Sequence, residues 1–121
     1  MKNILCFFLM SLFFTSCSSQ EEIKSISTKE LKVLLAKEKV QLIDVRSPEE
    51  IKKGAIKTAI FVNYFEEDFY EKAAKQLDKS KPVYLYCRSG NRSRKASKIL
   101  EVKGFNVVNV LGGYVQWKKE N

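Results

Sequence analysis

Apolar and polar positions follow three successive patterns along the chain. At the amino terminus Lys2 is followed by an apolar-leaning run from Ile4 to Phe14 that ends in small residues. This run is too short for a bilayer, since a spanning helix takes about 20 apolar residues. Its build is that of a secretory signal, so residues 1–16 are expected to be a signal peptide. Residues 17–26 are mostly polar and read as a tether. From Ser27 to the end, residues 27–121, apolar positions recur with the periods of secondary structure.

Within that last segment, Ser27 and Glu30 stand at capping-box spacing and Leu31, Leu34 and Leu35 share a helical face, which predicts a helix ending near Lys39. Residues 40–45, VQLIDV, form a branched apolar run bounded by Ser-Pro and read as a buried strand. A short helix over 48–53, stopped by Gly54, a strand over 59–62 and a helix over 66–78 follow. Pro82 opens the strand VYLYC, residues 93–103 carry Ala96, Ile99 and Leu100 on one face, and Gly104 closes that helix. NVVNV at 106–110 is a further strand, and Gly112-Gly113-Tyr114 with Trp117 leads into a final helical turn. This alternation predicts an α/β fold: a mostly parallel central sheet of about five strands with helices on both faces. Ligands of such sheets sit beyond the carboxyl ends of the strands, where Cys87 stands.

Composition narrows the chemistry. The chain has 22 basic and 14 acidic residues, a formal charge of +8. Only four of the 22 are arginines, and three of these, Arg88, Arg92 and Arg94, crowd beside Cys87. A guanidinium fork suits oxyanions, and without interleaved aromatics the cluster does not read as a nucleic-acid platform. There is no histidine, which removes Ser-His and Cys-His nucleophiles and His-containing zinc sites. The three cysteines, Cys6, Cys17 and Cys87, show no CxxC spacing. No metal and no organic cofactor is expected.

Residues 87–93, Cys-Arg-Ser-Gly-Asn-Arg-Ser, join a strand to a helix. Gly90 lets the loop curl so that its N–H groups point at the sulfur as an anion-binding nest, and the helix start adds partial positive charge. A free thiol titrates near pH 8.5, and a lowering of about two units, or about 2.7 kcal/mol, makes the thiolate dominant at neutrality. No histidine base is then needed.

This loop resembles the six-residue active-site loop of rhodaneses. Leu42-Ile43-Asp44-Val45-Arg46-Ser47-Pro48-Glu49-Glu50 resembles the same family's LIDVR-S-PEE stretch, and Leu111-Gly112-Gly113-Tyr114 with Trp117 resembles its closing GG-x3-W. The resemblance spans roughly residues 28–118. It implies a rhodanese-like fold, with Cys87 as the nucleophile that takes a sulfane sulfur from a donor such as thiosulfate, holds it as a persulfide and passes it to a thiol or cyanide-like acceptor. Arg88, Ser89, Gly90, Asn91, Arg92 and Ser93 would bind the anionic donor, with Arg88 and Arg92 easing departure of sulfite. Asp44 and Arg46 are read as structural polar contacts near the loop, Gly112 and Gly113 as a tight turn, and Trp117 as core. One departure is Ala55, where the family usually has histidine.

Two other readings use the same loop. Relatives that act as phosphatases or arsenate reductases carry Cys-x5-Arg, whereas here Cys87 to Arg92 is Cys-x4-Arg and the position of that arginine is Ser93. A non-catalytic binding or regulatory module is the other. Phe14-Thr15-Ser16-Cys17 resembles a bacterial lipobox, with Phe14 in place of the usual leucine. That resemblance implies lipidation of Cys17 and an exported, membrane-anchored protein facing the periplasm or cell exterior, with cleavage without lipidation as the alternative. A monomer is expected.

Overall fold

The computed structural model describes residues 22–121. The expected signal peptide, Cys6 and Cys17 lie outside the described residues. In chain order the elements are β1 (Lys24–Ile26), α1 (Thr28–Lys37), β2 (Gln41–Asp44), α2 (Pro48–Lys52), β3 (Ile60–Phe61), α3 (Phe69–Gln76), β4 (Val83–Tyr86), α4 (Asn91–Val102), β5 (Val107–Val110) and α5 (Gly113–Glu120). The strands form one sheet in the order β1-β5-β4-β2-β3, and every pairing is parallel. The expected α/β architecture is therefore present, with β4 at the centre.

Strand alternation divides the interior into two cores. Ile43 on β2 and Val45 just beyond it, Val83 and Leu85 on β4, and Cys87 just beyond β4 point to one face, where Phe69, Ala73, Ala96 and Leu100 of α3 and α4 cover them. Leu42 and Tyr86 point to the other face, against Leu31 of α1, with Trp117 of α5 partly buried at the edge. Cys87 thus inherits its direction from the pleat of β4: it continues the Val83, Leu85 face and looks toward α4.

Several boundaries differ from the sequence reading, three of them by more than a residue or two or next to the loop. Residues 24–26, assigned to the tether, are an edge strand: Lys24, Ser25 and Ile26 register with Val108, Asn109 and Val110, and the Leu111 N–H donates to the Ile26 carbonyl at 2.9 Å. A solvent-facing edge strand needs no alternating apolar pattern, so nothing in Lys-Ser-Ile marked it. The helix expected over 66–78 runs only over α3, and its N-cap residue Asp68 makes no side-chain capping bond. The helix expected from 93 begins at Asn91, because Gly90 turns the chain in the left-handed region at φ 111° and the helix starts immediately after it. The capping box at Ser27 and Glu30 forms, and Ser47 and Glu50 form a second one on α2.

The carboxyl end of β2 carries a buried ion pair. Arg46 donates from Nε to Asp44 Oδ1 at 2.9 Å and from Nη2 to Oδ2 at 2.8 Å, and Nη2 also reaches the Gly54 carbonyl at 2.8 Å. Its guanidinium lies 4.4 Å from the Tyr114 ring centroid and 5.5 Å from that of Tyr86. The position expected to carry histidine is Ala55, and the neighbouring Ile56 N–H is satisfied by Tyr86 Oη at 3.0 Å. These contacts tie the ends of β2 and β4 to the segment after α2 and to α5. Removing one charge would strand the other in the interior, so Asp44→Ala should lower unfolding free energy by about 3–5 kcal/mol. Urea denaturation of the two proteins side by side would show it, and a loss below 1 kcal/mol would contradict this account.

Candidate active site

The loop after β4 is shaped from behind by the start of α5. The Tyr114 N–H donates to the Cys87 carbonyl at 2.8 Å and the Val115 N–H to the Arg88 carbonyl at 3.0 Å. This approach is possible because residue 113 has no side chain: a Cβ there would stand 2.5 Å from the Arg88 carbonyl oxygen and 2.6 Å from that of Cys87. The expected tight turn at Gly112 and Gly113 is therefore also a docking surface for the loop's backbone. With these carbonyls drawn toward α5, the following N–H groups are left to face inward.

The Gly90 N–H donates to Cys87 Sγ at 3.0 Å, and Ser93 Oγ lies 3.4 Å from the same sulfur. Cys87 is 1% exposed, so burial pushes its thiol pKa up. The Ser93 hydroxyl and the N–H groups of Ser93, Gly90 and Ser89 act in the opposite direction and win, leaving the thiol below its ordinary value. Because α4 begins at Asn91, its positive end adds to the same effect.

Ser93 is itself positioned by a residue that the sequence reading passed over. Asn109, 2% exposed on β5, accepts from Ser93 Oγ at 2.6 Å and donates from Nδ2 to the Gly90 carbonyl at 3.2 Å. One hydroxyl proton cannot serve the sulfur and Asn109 together. The close contact to Asn109 suits the neutral thiol, whereas a charged sulfur draws the same proton to itself. The available signal was a lone polar residue inside Val-Val-Asn-Val, a strand buried on both faces.

The arginines divide. Arg92, expected among the donor-binding residues, makes a bidentate pair with Glu50 at 2.9 and 2.8 Å and lies 5.5 Å from the Phe65 ring centroid. Arg92 holds the Glu50 carboxyl down at about 2, against a smaller upward push from burial. Both terminal nitrogens of Arg92 are engaged, which corrects the expectation that its fork is free for substrate: it fastens α4 to α2 beside the sulfur. Arg88, Ser89 and Asn91 are exposed on the outer side of the loop, and Gly90 and Ser93 are buried beneath it. Among the described residues Arg88 has no carboxylate within ion-pair distance. Among the described residues, too, no group of three or more His, Cys, Asp or Glu side chains is placed to hold a metal ion.

A cysteine within reach of a loop amide at the end of the central strand of a five-stranded parallel sheet is the arrangement expected of a rhodanese-like domain, and the comparisons show that family. The model of the rhodanese-like domain family matches residues 27–120, and the chain belongs to that family. It is 44% identical over 100 residues, covering 82% of this chain and 94% of the other, to a Bacillus subtilis strain 168 protein named "Putative sulfurtransferase YtwF". It is 32% identical over 120 residues to "Thiosulfate sulfurtransferase 18" of Arabidopsis thaliana, covering 89% of this chain and 88% of the other. The crystal structure of a rhodanese-like domain protein from Staphylococcus aureus superposes with a TM-score of 0.72 at 38% identity, covering 78% of this chain and 91% of that one.

Removing the Ser93 hydroxyl should return the Cys87 thiol toward its ordinary range. Thiolate, not thiol, reacts with iodoacetamide. With a hydrogen bond worth about 0.5–1.5 kcal/mol, Ser93→Ala should slow alkylation at neutral pH about threefold to tenfold and move the midpoint of the pH profile upward. An unchanged midpoint would remove Ser93 from the activation of Cys87.

Proposed function

We propose that this protein is a sulfurtransferase that moves a sulfane sulfur from an anionic donor such as thiosulfate to a thiophilic acceptor through a persulfide on Cys87. The observation that carries the reading is the Gly90 N–H aimed at Cys87 Sγ at 3.0 Å, within a loop whose combined polar contacts lower the thiol pKa despite burial. In the first half-reaction the Cys87 thiolate attacks the outer sulfur of the donor. The donor's S–S bond breaks and sulfite leaves with its electron pair, while the negative charge moves to the outer sulfur now bonded to Sγ. In the second, the acceptor thiolate or cyanide attacks that outer sulfur, and the pair of the broken S–S bond returns to Cys87. The inward amides oppose the charge in each state, the thiolate and the persulfide alike. The free guanidinium of Arg88 is the one that meets the incoming anion.

The short loop supports sulfur over phosphorus. Cys-x4-Arg curls around less space than the Cys-x5-Arg loops that enclose a tetrahedral oxyanion, and the outer atom of a persulfide needs less. The names of the relatives point the same way. Intact mass after treatment with thiosulfate should rise by one sulfur atom and fall back on adding cyanide, with release of thiocyanate. A wild-type protein that gains no sulfur, or a Cys87→Ser variant that gains and transfers it equally well, would sink this reading; turnover of an aryl phosphate would replace it.

The same reading includes a place in the cell. The signal-like run over residues 1–16 followed by Cys17 supports an exported, lipid-anchored protein facing the periplasm or cell exterior, with residues from 18 onward leading to the edge strand β1. Expressed with its signal in bacteria, the protein should enter the detergent-rich phase of a detergent partition, and Cys17→Ala should move it to the aqueous phase. Wild type in the aqueous phase would rule out lipidation.

A further inference from the structure

Ser93 Oγ stands among three acceptors: Asn109 Oδ1 at 2.6 Å, the Gly90 carbonyl at 3.3 Å and Cys87 Sγ at 3.4 Å. The hydroxyl has one proton to offer. The Gly90 carbonyl already accepts from Asn109 Nδ2 at 3.2 Å and from the Arg94 N–H at 3.2 Å, which occupies both of its lone pairs. The competition is therefore between an amide oxygen and a sulfur. Asn109 registers with Leu85, two residues before Cys87, so its side chain points to the same face of the sheet as the sulfur. Ser93 is fully buried and Asn109 is 2% exposed, so bulk water does not enter this competition.

We infer that Asn109 is a positioning residue for Cys87: it receives the Ser93 O–H while Sγ is neutral and gives it up to the sulfur when the thiolate forms. The O–H turns between two acceptors, and no proton is transferred. A hydrogen bond to a charged sulfur is stronger than one to a neutral amide, which sets the direction of the turn. The Ser93 hydroxyl is the largest of the contacts that lower the Cys87 thiol pKa, so whatever holds that hydroxyl elsewhere acts on the sulfur. The thiolate gains the Ser93 bond only by breaking the one to Asn109. Asn109 thus works against the loop amides and keeps the thiolate from being stabilised further. This has a use, because the intrinsic reactivity of a thiolate falls with its pKa, with a Brønsted slope of about 0.4–0.5.

Resting on the sulfurtransferase reading above, the same exchange reverses on sulfur uptake. In the persulfide the charge sits on the outer sulfur and Sγ is neutral, so the Ser93 O–H returns to Asn109. The charged groups around the loop are Arg88 within it, Arg92 of α4 paired with Glu50 of α2, and the Asp44 and Arg46 pair at the end of β2. Tyr86 and Tyr114 flank that last pair. All of these groups are the same in the proteins compared below.

The test follows the reaction of the full chain with a neutral disulfide, bis(2-hydroxyethyl) disulfide, against pH, quenched in acid and read by mass on the peptide carrying Cys87. Wild type, Asn109→Leu, Ser93→Ala and the double variant are compared. Asn109→Leu should lower the midpoint by about 0.5–1 pH unit. It should also lower the rate on the alkaline plateau, where the thiolate is complete, about 1.5-fold to threefold. In the Ser93→Ala background it should change neither. A midpoint that is unchanged or raised, a plateau that does not fall, or the same changes without the Ser93 hydroxyl would overturn the inference; a loop merely loosened by loss of Asn109 raises the midpoint, because its amides no longer aim at the sulfur. A second readout leaves position 109 intact. In wild type the NMR signal of the Asn109 side-chain carbonyl carbon should move across the Cys87 midpoint as its hydrogen bond is lost, and move less in Ser93→Ala; equal movement in both would also overturn the inference. Neither measurement involves sulfur transfer, so a failure to load sulfur from thiosulfate is a separate result that overturns the function instead.

Discussion

Two backbone hydrogen bonds, from the N–H groups of Tyr114 and Val115 to the carbonyls of Cys87 and Arg88, determine what the loop can do. They take the loop's first two carbonyls away from the sulfur, and only then can the amides that follow turn toward it. The contact requires a glycine at 113, because any Cβ would sit well inside van der Waals contact distance of both carbonyl oxygens. It also explains why a pair of glycines near the end of the chain belongs to the same machine as a cysteine more than twenty residues earlier: β5 delivers α5 beside the end of β4.

Around that contact a buried thiol is held below its ordinary pKa without a histidine. Burial alone raises a thiol pKa and makes it inert. Here the opposing contributions come from neutral groups, the loop amides and one hydroxyl, and from the end of a helix. The formal charges nearby are mostly fixed in pairs: Arg46 with Asp44 under two tyrosine rings, Arg92 with Glu50 between α2 and α4. The second pair fastens α4 to α2 beside the loop, and among the described residues Arg88 is left without a carboxylate partner.

Much of this was legible in the sequence. Branched apolar runs gave β2, β4 and β5, the Ser27 and Glu30 spacing gave the first helix, and arginines gathered beside a lone cysteine marked the loop. What was not legible involves partners distant in sequence. Arg92 reads as an anion binder until the fold brings Glu50 within 2.8 Å of it, and no spacing rule links those positions. Asn109 looks like an ordinary strand residue until Ser93 and Gly90 stand opposite its amide. Lys24–Ile26 is too short and too exposed to carry a period, and the open edge of β5 recruits it through backbone alone.

The role we propose for the loop amides is to hold charge on the sulfur and on any sulfur added to it. A crystal structure of the protein after treatment with thiosulfate tests this at the atoms concerned. The account predicts a second sulfur covalently bonded to Cys87 Sγ, enclosed by the loop and within hydrogen-bond reach of its N–H groups, with the Tyr114 and Val115 contacts unchanged. An unmodified Sγ with an intact oxyanion resting in the loop, or an added sulfur turned away from the amides, would contradict it.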